Sequence, residues 1–106
     1  MANERKEKII TFLSKDPESS FLLFALAKEY ESDGETEAAI ATYIKLLDSN
    51  VGYTGAYYHL GKQYELLADN EKAIAIYQQG MVICHQHKAL HDASELRGAL
   101  DNLTMD

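Results

Sequence analysis

With 106 residues, 46% of them hydrophobic and 25% charged, the chain is sized for one folded domain and too apolar for a disordered one. Seventeen acidic residues against ten Lys and Arg give a net charge of -7, which disfavours nucleic acid and anionic membrane surfaces as partners. The single cysteine, Cys84, permits no internal disulfide, the start is too charged for a secretory signal, and no stretch reaches the ~18 apolar residues of a membrane span; a cytoplasmic location is expected.

Gly and Pro are scarce, and apolar residues recur at helical spacing almost throughout, so the chain reads as all helix with short turns. The first helix is predicted over 3–14, carrying Ile9, Ile10, Phe12 and Leu13, and stops ahead of Pro17, which pushes the preceding residue out of helical geometry. Asp16 or Ser19 can cap a second helix over 19–32, whose stripe is Leu22, Leu23, Leu26, Ala27 and Tyr30. Asp33-Gly34 closes it, since glycine tolerates a left-handed backbone. A third helix follows over 36–48, with Ala39, Ile40, Tyr43, Ile44 and Leu47. The fourth and fifth are expected over 54–67 and 70–85, the latter capped by Asp69 or Asn70. A last helix over 89–103 places Leu90, Ala93, Leu96, Leu100 and Leu103 on one side, the pattern of a lid that is apolar inside and polar outside.

Residues 26–43 return at 60–77. Leu26, Lys28, Tyr30, Glu31, Glu37, Ala39, Ile40, Ala41 and Tyr43 recur as Leu60, Lys62, Tyr64, Glu65, Glu71, Ala73, Ile74, Ala75 and Tyr77. A fixed 34-residue period without insertion implies stacked helix pairs, each unable to bury its apolar face alone. The second unit reads Tyr57-x2-Leu60-Gly61-x2-Tyr64 and then Ala73-x3-Tyr77; the first reads Leu23-x2-Leu26-Ala27-x2-Tyr30 and then Ala39-x3-Tyr43. These motifs resemble the tetratricopeptide repeat.

The resemblance implies a right-handed array of helical hairpins, about six helices in a single domain over 1–106: a half-repeat helix at 3–14, repeats at 20–53 and 54–87, and a capping helix at 88–103. The register carried past residue 87 puts Ser94 and Glu95 at the Leu-Gly places, so the last helix reads as having lost the signature. Ala27, Gly61, Ala39 and Ala73 are expected to let the helices of a hairpin cross closely, and a large side chain at Gly61 to force them apart.

In this family the first helix of each pair lines a concave groove for extended peptides or partner helices. Here that surface would be formed by Phe21, Phe24, Lys28 and Glu31, with Tyr58, Lys62 and Glu65 at the equivalent places, and would suit a segment bearing apolar side chains and a carboxylate. The competing expectation is that Phe21 and Phe24 pack on Ile9, Phe12 and Leu13 and that the lysines are merely solvated. The family's charged clamp for chaperone C-termini is not expected, because its asparagines are missing from these helices. The function expected is therefore a non-catalytic scaffold for a protein or peptide, with self-association into a homodimer through Phe21 and Phe24 on an uncovered flank as the alternative.

Cys84, His85, His87 and His91 lie close in sequence, but without the ligand spacing of a zinc site, so no metal and no cofactor is expected. His59 has no nucleophile placed beside it and no phosphate loop or nucleophile elbow is present, so catalysis is not expected. The acidic run Glu29, Glu31, Asp33, Glu35 and Glu37 reads as a solvated face and a complement to the dipole of the third helix.

Overall fold

The short breaks at Pro17, Gly34, Gly52, Asp69 and Lys88 divide a chain that is otherwise helical. The computed structural model describes residues 2–105 as six helices: α1 (Ala2–Lys15), α2 (Ser20–Ser32), α3 (Thr36–Ser49), α4 (Gly55–Leu66), α5 (Asn70–His87) and α6 (Leu90–Thr104), with no strand among the described residues. Of the alternative caps, Ser19 and Asp69 are used: the Leu22 amide donates to Ser19 Oγ and the Lys72 amide to Asp69 Oδ1, both at 3.2 Å. Each such cap stabilises a helix start by about 1 kcal/mol.

The first helices of both hairpins end identically. The Gly34 amide donates to the Glu31 carbonyl and the Glu35 amide to the Tyr30 carbonyl; Ala68 and Asp69 do the same to Glu65 and Tyr64. That closure needs a left-handed residue, supplied by Gly34 (φ 75°) in the first hairpin but by Ala68 (φ 59°) in the second. Lys88 (φ 56°) ends α5 in the same way.

Helices α2 and α3 form one hairpin, α4 and α5 the next, and α6 packs on α5 and α4. The hairpins cross at small residues. Ala27, Ala39 and Ala73 are fully buried, and a Cβ added at Gly61 would come within 2.6 Å of Tyr77 Cζ, so this crossing has no room for even a methyl group. Two apolar clusters, one around Leu23, Tyr43 and Leu60 and one around Tyr57, Tyr77 and Leu96, merge through Leu47, Tyr64 and Ile76 into a continuous core. Tyr57, at the family's tryptophan place, is fully buried and donates its hydroxyl to the Val51 carbonyl at 2.7 Å, which ties its ring to the turn.

Helix α1 docks on α2 through buried Ile9, through Leu13 and through charge. Lys6 Nζ lies 2.6 Å from Asp33 Oδ2, 2.7 Å from Glu35 Oε2 and 5.0 Å from the centre of the Tyr30 ring, and the two carboxylates raise its pKa above the ordinary lysine value. Part of the acidic run thus receives a helix. Phe12 is 56% exposed.

Two expectations at the far end need correction. Leu90 is 81% exposed rather than part of a lid's inner face. The apolar stripe of α6 also sits in a different register from the one expected, although Arg97 at the Gly place leaves the signature unmatched. Helix α5 runs on through His87, so α6 follows α4 at an offset of 36, not 34: Ala93, Leu96 and Leu100 take the places of Tyr57, Leu60 and Tyr64, and Leu96 is fully buried. No helix among the described residues is long and apolar enough to cross a membrane.

Candidate functional site

Each first helix presents its second residue type, Lys and Glu, three positions apart, and the geometry separates their roles. The Tyr43 hydroxyl donates to Glu31 Oε2 at 2.5 Å, and the Tyr77 hydroxyl donates to Glu65 Oε2. Both rings are fully buried. A charged acceptor for a buried hydroxyl makes this a strong contact. The recurring Glu–Tyr pair therefore locks α2 to α3 and α4 to α5, and burial together with the adjacent carboxylate pushes both phenols well above their ordinary range.

The lysines stay at the rim. Lys28 Nζ is 3.5 Å from Glu31 Oε2 and Lys62 Nζ is 3.7 Å from Glu65 Oε2, each an i, i+3 pair with a partly exposed ammonium. Lys62 also stands 5.5 Å above the Tyr58 ring. Such exposed pairs contribute little stability, on the order of 0–1 kcal/mol. They leave the charge available on the surface.

Glu31 does more than Glu65. Its Oε1 accepts from Gln63 Nε2 at 3.0 Å and lies 3.6 Å from His59 Nδ1, so one carboxylate of the first hairpin is gripped by two side chains of α4. Burial raises its pKa, but His59 and the Tyr43 hydroxyl more than offset that, holding it below the usual carboxylate range. The His59 ring lies parallel to Tyr43 at 6.0 Å and edge-on to Phe24 and Tyr58 at 5.5 and 5.6 Å. Gln63 is buried, and its Oε1 has no hydrogen-bond partner. The sequence reading missed this joint. The signal was present in two of the places where the repeats differ, His59 against Ala25 and Gln63 against Glu29.

Of the expected surface residues, Lys28, Glu31, Tyr58, Lys62 and Glu65 cluster around this joint and its repeat. Phe24 joins them from below: its ring meets Tyr53 at 5.3 Å and Tyr43 at 6.0 Å. Its aromatic neighbours are therefore on α3, α4 and the turn before α4, and it shares the apolar cluster of the first hairpin with Leu13. Phe21 is different, 76% exposed on the first turn of α2.

The His and Cys residues near 84–91 do not converge. Cys84 is buried with its thiol pKa raised by burial, and the grouping that brings ligand atoms together among the described residues is His91, Asp92 and Glu95. Asp92 is already engaged, accepting from the Thr54 hydroxyl at 2.6 Å across α4 and α6.

No protein-family model matches this sequence, and neither does any curated protein. Among solved structures, the crystal structure of a tetratricopeptide repeat domain protein from Salinibacter ruber is 35% identical over 81% of this chain and 96% of its own, with a TM-score of 0.77. A solution structure of a tetratricopeptide repeat domain protein from the same organism is 35% identical over 83% and 89%, with a TM-score of 0.78. A protein from Bordetella parapertussis, 23% identical over 92% and 85%, has a TM-score of 0.81 and shares the fold.

Proposed function

This chain belongs to the tetratricopeptide repeat family, and on that premise we propose that it is a non-catalytic module that holds a segment of another protein along the face shared by α2 and α4. The family's fold is in general one for protein interaction; the particular face is our reading. Its main support is the division of labour in the repeated Lys-x2-Glu: both glutamates accept from buried tyrosines, whereas Lys28 and Lys62 stay partly exposed at the rim, Lys62 over the Tyr58 ring. Two cations one repeat apart, over an aromatic floor, fit an extended or helical segment that carries acidic groups and at least one apolar side chain. Phe21, one turn before Phe24 on α2, is exposed and available to such a segment.

The test is a selection of displayed peptides on the wild-type chain and on Lys28→Glu with Lys62→Glu. Peptides enriched in Asp, Glu or a free C-terminus should be retained by the wild type and lost from the double variant, with circular dichroism unchanged. Equal retention by both proteins removes this face as the binding site.

A further inference from the structure

In each complete hairpin the outer side of the first helix is covered by the second: α3 covers α2, and α5 covers α4. The equivalent side of α6 is covered by no described residue. Between α5 and α6 lies a trough of about 690 Å³ with Met81, Leu90 and Ala93 among its apolar lining and His85, Lys88 and Arg97 as its basic groups. Basic groups set around an apolar trough are notable in a chain of net charge -7. Of the acids nearby, Asp92 is engaged by the Thr54 hydroxyl, and no carboxylate among the described residues lies within ion-pair distance of Arg97 or Lys88.

The displaced register of α6 identifies what kind of helix fits. Arg97 takes the place that Gly61 holds in α4 and Ala27 in α2, the point where a second helix crosses. A helix laid there cannot approach as closely as α3 and α5 approach their partners, and it meets a guanidinium where they meet Ala27 and Gly61. The chain's own candidate is α1 of a second copy, since Phe12 stands where the buried Leu46 stands in α3. But α1 carries Arg5, 77% exposed and 3.5 Å from Glu29, where α3 has Ala39, so a second copy would set a bulky cation against Arg97 at the crossing. Like charges juxtaposed in an interface disfavour it, whereas a carboxylate at the same point would pair with Arg97 in bidentate fashion.

We propose that the α5–α6 trough docks an amphipathic helix of a different protein, apolar on its inner edge and bearing Asp or Glu where it crosses Arg97. The site is independent of the α2–α4 face. The probes are two synthetic helix-forming peptides of about 18 residues, long enough to hold helical structure, with a Leu stripe flanked by Glu in one and by Lys in the other. They are titrated into the full chain by fluorescence anisotropy.

The wild type should prefer the Glu peptide by at least about tenfold, and Lys88→Glu with Arg97→Glu should reverse the preference. Leu90→Asp should weaken both peptides. Because the α2–α4 face is itself read as taking acidic segments, the titrations are repeated on the Lys28→Glu, Lys62→Glu background, where the Glu preference and its reversal by Lys88→Glu with Arg97→Glu should persist. Failure to bind the Glu peptide, equal binding of both, or a preference that survives the charge reversal overturns the proposal. So does loss of binding in the Lys28, Lys62 variant, which would assign the peptide to the other face. Concentration-dependent light scattering of the wild type that Phe12→Asp abolishes would assign the trough to a second copy instead.

Discussion

The two hairpins share their framework and differ in how they are filled. Between α2 and α3 the crossing holds Ala27 against Tyr43, the closing turn uses Gly34, and Leu46 fills the space beside Leu23; between α4 and α5 the same places hold Gly61, Tyr77, Ala68 and Gly80. Identical residues, above all the Glu–Tyr locks, make contacts within one hairpin. Differing residues mark places that each hairpin fills in its own way, such as Gly80, whose added Cβ would lie 2.6 Å from Tyr57 Cβ in its own hairpin and 2.9 Å from Leu96 Cδ1 of α6. What recurs in the sequence is thus the hairpin, and what varies is its filling.

The sharpest way to break that comparison is at the crossings. Gly61→Ala should destabilise by about 3 kcal/mol in urea denaturation, because Tyr77 is buried and tied to Glu65 and cannot step aside; Ala27→Gly should cost only about 1 kcal/mol, the helix-propensity term. Equal effects at the two sites would mean that the tight crossing relaxes easily.

The glutamates come next. Glu31→Gln should cost about 2 kcal/mol and Glu65→Gln about 1, since only Glu31 also receives two side chains from the other hairpin. The Glu31 carboxyl titrates below its ordinary 4.5, so its contribution is present above that value and disappears as the pH falls through the lower folded value. Stability measured from pH 7 down to 3 should therefore show the wild type converging on Glu31→Gln at the acid end; a constant gap would contradict the assignment.

Smaller effects refine the helix ends. Ser19→Ala should lose about 1 kcal/mol, whereas Thr54→Ala should lose no cap, because Thr54 makes no capping bond and donates instead to Asp92. Ala68→Gly should raise stability by about 0.5 kcal/mol, and Gly34→Ala should lower it by a similar amount, as both positions hold left-handed backbone. Thermal denaturation of the pair would show whether the two turns are interchangeable.

How far the sequence spoke can be followed in particular residues. The helices and their order follow from periodicity, because an apolar stripe every three or four residues has one stable use in water, and the resemblance to the family implied the small-residue crossings at Ala27, Ala39, Gly61 and Ala73. The caps were narrowed to two candidates each, since Asp, Ser and Asn share the chemistry and only the backbone selects among them.

The surface residues were harder to read. Phe24 and Phe21 are the same residue three positions apart, yet one is enclosed by Tyr43, Tyr53 and His59 and the other is open to water. Retention of Glu31 and Glu65 pointed to one shared role, and it was the tyrosine twelve residues later in each hairpin that supplied it. The two extra residues before α6 concealed its pattern, because a search at fixed period fails at the first insertion.

By itself, then, the sequence determined the elements and the hairpin, whose contacts are short in chain distance and recur as identities. The tertiary structure alone decided which side of each helix is covered, that His59 and Gln63 reach back to Glu31, and that Arg97 occupies a crossing point. These depend on contacts between hairpins, and such contacts leave no period in the chain because each has different neighbours to satisfy.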